Sequence, residues 1–521
     1  MTNSSYLCAT ISKINHFYTS MKKILITLLV AMAATTTQAA KPRYVLTVSD
    51  VRKQTVTGFG GACCDGAMKP FGTDNACVSR LYGAKSKIGL NILRMEISPS
   101  FTGDNWGDYD WNGSLPSAKT VKNRGGIVFG TPWSPPGDYK TNGTAQGGNA
   151  QNQGYQKGKL REDCYDKFFP WLNTFLGWMK SKGVEVDAVS IQNEPDWWVN
   201  YSGCLYTPEQ QLKLVKEHAD KLDRETYKGV RLISAEPLGF DPKYSNMLMN
   251  DPVAREQIDI VAGHLYGHPP LGNMKSAAVL AAKYGKEVWM TEHSVSDQIK
   301  NRLPNWSEQL EFARELNECM LAGCTGYIYW YMRAHWAFLG TGESEYGADN
   351  KKNKALPRAF VMSHFSKHVT GSTRLETKAT FTTSTNSELE TSAYIKGDSL
   401  IVMAINSSKT NHELRIKMPY NVKSGTHLIS TGNETAKLCQ SQPFTIEEPL
   451  NDYTASMPAN SLNTYIFIID QESSAINELQ QTADPLAKTY FDLQGHLLTN
   501  PHGLCIEKRA DGFTRKVYIE D

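Results

Sequence analysis

The chain has no excess of either charge: 55 Lys and Arg stand against 53 Asp and Glu, a formal balance of +2 at pH 7. Without a field of one sign it has no long-range attraction for a polyanion, which argues against a dedicated nucleic-acid binder. Past the leader, no apolar run approaches the length of a membrane span. No C-x-x-C pair is present: Cys63 and Cys64 are adjacent, and Cys319 and Cys324 are too far apart. Setting aside Cys8 in the leader, the other cysteines are odd in number, cannot all pair within one chain, and read best as small buried hydrophobes. No serine sits in a G-x-S-x-G elbow. Gly58-Phe59-Gly60-Gly61 lacks the spacing of a dinucleotide loop, so its glycines read as close backbone packing. The histidine pairs His264/His268 and His364/His368 lack the glutamate of a zinc-protease helix. No metal and no organic cofactor are expected.

What is present is length and aromatic surface. At 521 residues the chain exceeds the usual size of one core, and its 24 Tyr and 11 Trp offer platforms for a ligand. Residues 1–40 read as a leader. Met21-Lys22-Lys23, the apolar run Ile24 to Ala33 and the small residues ending at Ala40 have the order of a signal peptide, Met21–Ala40, with Met21 as the expected start. A secreted or cell-surface protein follows from it.

Short apolar runs then alternate with stretches long enough for a helix. The runs are Gly58 to Ala62, Leu90 to Ile97, Gly126 to Thr131, Asp187 to Gln192, Val230 to Ala235, Ile258 to His264, Glu287 to Glu292 and Gly326 to Tyr331. Eight such runs predict a closed (β/α)₈ barrel over 58–368, with a doubly wound open sheet as the alternative. Tyr165 to Lys182, Thr207 to Leu222 and Trp306 to Ala322 carry apolar residues at helical spacing. Past Val369 the pattern turns to strands: Thr391 to Ile395, Leu400 to Asn406, His412 to Met418 and Asn463 to Asp470, with turns at Gly397-Asp398, Asn421 and Gly432-Asn433. This predicts an appended all-β sandwich over 369–470, which a strand at Tyr44 to Val48 within 41–57 would join from the other end. Residues 471–487 read as a polar linker and 488–521 as a separate tail.

In a barrel the carboxyl ends of the strands point into the active-site mouth. Glu194 follows the fourth barrel strand in Gln192-Asn193-Glu194-Pro195, and Glu292 ends the seventh in Met290-Thr291-Glu292-His293. A strand-end acid also caps helices or binds arginine, so either alone is weak. Two from separate strands meet the need of glycoside hydrolysis, in which one carboxyl protonates the leaving oxygen and another meets the oxocarbenium-like carbon. If they work as a retaining pair, they should stand about 5 to 5.5 Å apart. Arg94 on the second strand is placed to supply a cation, with a salt bridge to Glu96 as its plain alternative. Asn193 can bond a sugar hydroxyl. Trp133, Tyr266 and Trp330 are candidate walls, since the C–H face of a sugar packs on aromatic rings.

Asn193-Glu194-Pro195 with Glu292 resembles the barrel glycosidases of clan A. Trp133-Ser134-Pro135-Pro136, Gly263-His264-Leu265-Tyr266-Gly267 and Tyr329-Trp330-Tyr331-Met332-Arg333 narrow this resemblance to glycoside hydrolase family 30, in particular its bacterial xylanase branch, over residues 43 to about 470. The resemblance implies a retaining reaction with Glu194 as acid/base and Glu292 as nucleophile, and implies that Arg94 attends the nucleophile. It also exposes departures. Where glucuronic-acid-dependent members of the branch carry an arginine, a tyrosine and a second tyrosine, this chain has Ala334, Trp336 and Ser294, and Asp297 lies nearby. Losing a cation for a carboxylate removes most of the reason for a glucuronyl requirement. Arg333 is a possible substitute anchor and Trp336 an apolar face for an undecorated sugar. The expected activity is an endo-β-1,4-xylanase on a xylan-type polysaccharide. The alternatives are a β-glucosidase, an endo-β-1,6-glucanase, or a non-catalytic carbohydrate-binding protein. The tail, with Tyr490-Phe491-Asp492-Leu493-Gln494-Gly495 and the runs at Gly503-Leu504-Cys505-Ile506 and Lys516-Val517-Tyr518-Ile519, resembles the C-terminal signal of type IX secretion, whose machinery is the partner it implies.

Overall fold

The computed structural model describes residues 43–63, 75–99, 111–147, 158–267, 270–294, 303–330, 332–333, 338–340, 342, 351–381, 388–471, 489–492, 497–498, 503–508 and 514–519. The leader with Met21–Ala40, nearly all of the linker 471–487, Tyr331, Ala334, Trp336, Asp297 and His268 lie outside the described residues.

Eight parallel strands close a barrel: β2 (Gly58–Cys63), β3 (Ile92–Ile97), β4 (Ile127–Pro132), β5 (Ala188–Ser190), β6 (Arg231–Ile233), β7 (Ile260–His264), β8 (Glu287–Glu292) and β9 (Gly326–Tyr329), the last pairing back onto β2. Side chains alternate across each strand. One set, including Ile92, Phe129, Ile233, Ile260, Trp289 and Ile328, fills the barrel interior, where the Phe129 and Trp289 rings meet edge to face at 5.5 Å. The other set faces the surrounding helices. Helix α3 (Tyr165–Ser181) buries Tyr165, Phe168, Leu172, Phe175 and Met179, the stripe that three-and-four spacing produces. Helix α4 (Pro208–His218) starts at a capping box in which Thr207 and Gln210 bond reciprocally, and α8 (Trp306–Ala322) starts at another between Asn305 and Glu308.

Strands β5 and β6 are shorter than their apolar runs. Past Ser190 and Ile233 the chain stays extended but leaves the regular ladder: Asn193 N–H goes to the Pro132 carbonyl and Glu236 N–H to the Gln192 carbonyl.

The β-rich domain is one continuous sheet of β1 (Arg43–Thr55), β10 (Thr373–Phe381), β11 (Leu389–Lys396), β12 (Ser399–Asn406), β13 (His412–Ser430), β14 (Gln440–Met457) and β15 (Ser461–Ile469). Its order is β1-β10-β11-β12-β15-β13-β14, and it folds back so that β1 also pairs with β13 in parallel, Tyr44 beside Leu414. Tyr44, Leu46 and Val48 alternate into its core beside Leu375, Leu414, Ile416 and Phe467. Gly397, at φ 58°, makes the two-residue turn between β11 and β12, where Lys396 pairs with Ser399. The expected turn at Asn421 is instead a register shift inside β13, between Lys417 and Val422. Pro419 there has no N–H for the ladder, so the strand bends without ending. The tail holds a four-stranded sheet, β17-β16-β18-β19, from β16 (Thr489–Phe491), β17 (Leu497–Leu498), β18 (Gly503–Lys508) and β19 (Thr514–Ile519). Among the described residues no helix is long and apolar enough to cross a membrane. Of the described cysteines, Cys164, Cys204, Cys319, Cys324 and Cys439 are free thiols; all of these but Cys439 are buried, as are Cys63 and Cys505.

Candidate active site

The loop leaving β5 carries Glu194 and the last residue of β8 is Glu292. Glu194 has a left-handed backbone, φ 43°, a conformation that costs a residue with a Cβ on the order of 1–3 kcal/mol. Its peptide groups hold it there: its N–H donates to the Glu236 carbonyl at 2.9 Å and its carbonyl accepts from Trp197 N–H at 3.1 Å. The two carboxylates and His264, at the end of β7, have ligand atoms all within 4.8 Å of one another.

Arg94, fully buried on β3, binds the site together. One guanidinium nitrogen donates to Glu292 Oε2 at 2.6 Å, and the other donates to Asn193 Oδ1 at 2.7 Å and to Glu236 Oε2 at 3.0 Å. Trp133 stacks under it, 4.6 Å from guanidinium carbon to ring centroid, and Trp330 adjoins Trp133 at 5.9 Å. Tyr266 donates its hydroxyl to Glu292 Oε1 at 3.1 Å. His264 places Nδ1 3.0 Å from Glu194 Oε1 and Nε2 3.4 Å from Glu236 Oε2. Thr131 donates to the other oxygen of Glu236 at 2.8 Å.

The charges in this cluster set one another. Burial works to raise the Glu236 carboxyl, but Arg94 and His264 outweigh it and hold the pKa at about 2. For His264 burial disfavours the cation, yet Glu292, Glu194 and Glu236 overcome it and push the pKa up to about 9. Glu292 lies above its ordinary value because of burial, opposed by His264 and Arg94 and reinforced by the charge of Glu194. Glu194, His264 and Glu292 are also a donor set of the size a metal needs. Arg94, 2.6 Å from Glu292, and His264, held toward its cation, already place positive charge among these carboxylates, which weakens the need for a further cation.

The structure brings together Glu194, Glu292, Asn193, Arg94, Trp133, Tyr266 and Trp330. Arg333 is buried, with its backbone bridged to Leu339, and is joined to neither carboxylate; Trp336 lies outside the described residues. Glu236 was not among the expected site residues, although it follows the fifth barrel strand as Glu194 follows the fourth. The rule that acids at strand ends face the mouth would have found it, had the apolar run been carried one residue past Ala235. His264 stood inside a quoted motif with no role; its place at the last position of β7 was the available signal.

Residues 105–335 match the family model described as the glycosyl hydrolase family 30 TIM-barrel domain. A glucuronoxylanase, XynC, of Bacillus subtilis (strain 168) is 27% identical over 440 residues, covering 81% of this chain and 92% of its own. An endo-1,6-beta-D-glucanase, neg1, of Aspergillus fumigatus is 27% identical over 312 residues, covering 50% of this chain and 62% of its own. Among solved structures, the subfamily 8 xylanase Xyn30A of family 30 from Clostridium acetobutylicum superposes with a TM-score of 0.65 at 28% identity, covering 82% of this chain and 99% of that one. With a closed eight-stranded barrel, an added β-rich domain and a paired-carboxylate mouth, the chain is similar to glycoside hydrolase family 30 in the sequence of its barrel and in its fold.

Proposed function

We propose that the chain is a retaining endo-β-1,4-xylanase that cuts xylan without a strict need for glucuronic acid, with Glu194 as acid/base and Glu292 as nucleophile. The observation that carries the mechanism is the spacing: carboxylate atoms within 4.8 Å leave no room for the water that an inverting pair, about 6.5–9.5 Å apart, must hold between them. The charges support the division of roles. Glu292 has two donors, Arg94 and Tyr266, that favour its anion.

In the first step Glu292 attacks the anomeric carbon as the glycosidic bond breaks, and Glu194 gives its proton to the departing oxygen. In the second, water attacks the same carbon, Glu194 takes up its proton, and Glu292 leaves as carboxylate. Asn193, with Oδ1 held by Arg94, is left with its amide N–H groups to donate to a sugar hydroxyl beside the scissile bond. The xylan assignment is supported by likeness to proteins named as xylanases, and the relaxed glucuronyl requirement by Ala334, Trp336 and Ser294. The endo-1,6-glucanase relative keeps that activity as the alternative.

A polysaccharide panel tests this. Linear xylan, arabinoxylan and glucuronoxylan should all be cut, with products not registered to the glucuronyl branch, and β-1,6-glucan should not. Glu292→Gln should abolish turnover. Glu194→Ala should lose about 10²–10⁴-fold on polymer but keep activity on substrates with an activated leaving group. Equal loss on both substrate types overturns the roles, and glucuronoxylan products with the branch at one fixed position overturn the specificity.

A further inference from the structure

Three residues past Glu194 the chain exposes large rings that the carboxylate chemistry does not use. Trp197 is 53% exposed and Tyr201 41%. A loop that leaves such rings facing water has a use for them or is simply loose. This loop is not loose. Asp196 accepts from Leu238 N–H at 2.9 Å, and Tyr206 N–H bonds the Pro195 carbonyl at 3.0 Å. Gly147 N–H bonds the Tyr201 carbonyl at 2.8 Å, and Gln146 bridges to Ser202, so the loops after β4 and β5 pair with each other. Lys140, buried beneath them, donates its ammonium to the carbonyls of Ala145, Gln146 and Gly203 at 2.9, 2.8 and 2.6 Å.

Position gives the rings a side. Arg94, Trp133, Trp330 and Tyr266 gather around Glu292. Trp197 and Tyr201 follow Glu194 on its own loop. Trp197 N–H bonds the Glu194 carbonyl at 3.1 Å, and burial and then the negative charges of Glu194 and Glu292 raise the Tyr201 phenol well above its ordinary value. A general acid stands beside the leaving oxygen, so the sugar attached to that oxygen lies on the acid's side.

We infer that Trp197 and Tyr201 form a rigid platform for the leaving-group side of the substrate, stacking the pyranose rings that follow the scissile bond in a neutral β-linked polysaccharide. The inference deepens the proposed function and rests on Glu194 being the acid. Neutrality follows from the segment itself: between residues 194 and 206 the only charged side chains are Glu194 and Asp196. The ammonium beneath them is occupied by three carbonyls. Within this segment a uronic acid would meet carboxylates and no cation.

The test compares one glycone with two leaving groups. The substrates are the polysaccharide the wild-type chain cuts best and the matching disaccharide glycosyl fluoride, whose leaving group carries no sugar and needs no acid. Trp197→Ala should lower kcat/KM on the polymer about ten-fold more than on the fluoride, and Trp197→Phe should return most of that loss. Equal proportional loss on the two substrates, or no loss on either, overturns the platform and leaves the retaining mechanism standing. A wild-type chain that cuts neither the panel nor the fluoride overturns both.

Discussion

Arg94 shows how single residues set the chemistry of this site. A fully buried guanidinium is costly unless its charge is met, and here its two terminal nitrogens bond Glu292, Asn193 and Glu236, which come from the ends of three different strands. The cation that holds Glu292 also orients the amide beside the acid. His264 does the same from the other side, touching Glu194 and Glu236. Its pKa stands at about 9 in the fold against 6.5 for a free histidine, so the folded chain binds this proton more tightly than the unfolded chain. The stability this confers is complete below about pH 6.5 and is lost as pH rises through about 9. Thermal unfolding of the wild type should therefore shift to lower temperature across that window. His264→Gln should begin less stable and lack this part of the slope; an unchanged slope in the variant would remove His264 as its source. Glu194 and Glu292 stood out in the sequence by residue type and strand-end position, and Arg94 as a cation on a barrel strand. The linkage through Glu236 and His264 did not, because it depends on which strand ends meet across the mouth.

At the scale of elements, the glycine pair of β2 shows what the sequence conveyed and what it left open. Gly58-Phe59-Gly60-Gly61 reads as close backbone approach, and the barrel gives the reason. A Cβ on Gly60 would sit 2.0 Å from the Ile92 carbonyl oxygen, which is strand backbone and cannot move alone. At Gly61 it would meet Met332 Cγ at 2.2 Å, the flexible part of a methionine side chain. Gly60→Ala should therefore destabilise the chain by about 1–3 kcal/mol or more, as overpacked cores do. Gly61→Ala should cost clearly less; comparing the two unfolding midpoints checks the ranking, and equal losses would contradict it. The same contrast governs element boundaries. Trp306–Ala322 and Glu287–Glu292 fall where periodicity puts them, since local capping and a full ladder determine them. The ends of β5 and β6 depend on hydrogen bonds to strands far away in sequence, and Asn421 looked like a turn because the partners that keep β13 running are β14 and β15.

At the scale of the whole molecule, the barrel and the β-rich sheet are joined by polar contacts, whereas among the described residues the tail is joined to neither by any strand pairing. Arg314 on α8 bonds Glu390 at 2.6 Å, and Trp306 donates to the Asn460 carbonyl at 2.7 Å. His364, buried on the helix α9 (Pro357–Ser366), has its two ring nitrogens 2.8 and 2.9 Å from the hydroxyls of Thr464 and Ser430. One apolar cluster also takes in Ile401, Met403, Ile405 and Leu462 of the sheet with Leu316 and Phe365 of the barrel helices, and parting them would expose that surface to water, so barrel and sheet should unfold together. The pairings of β16, β17, β18 and β19, by contrast, all lie within the tail. It builds its own small sheet with Cys505 buried, while Leu504 is 50% and Tyr518 72% exposed. This unit pairs with itself behind a polar linker and leaves Leu504 and Tyr518 facing water. We propose that it is a sorting signal, the role its resemblance to the type IX secretion signal implies. Deleting residues 488–521 should leave kcat/KM and the main unfolding transition unchanged while the enzyme accumulates in the periplasm of a host that has this export route. Unchanged export would refute the sorting role. A lowered unfolding temperature would show instead that the tail braces the catalytic fold.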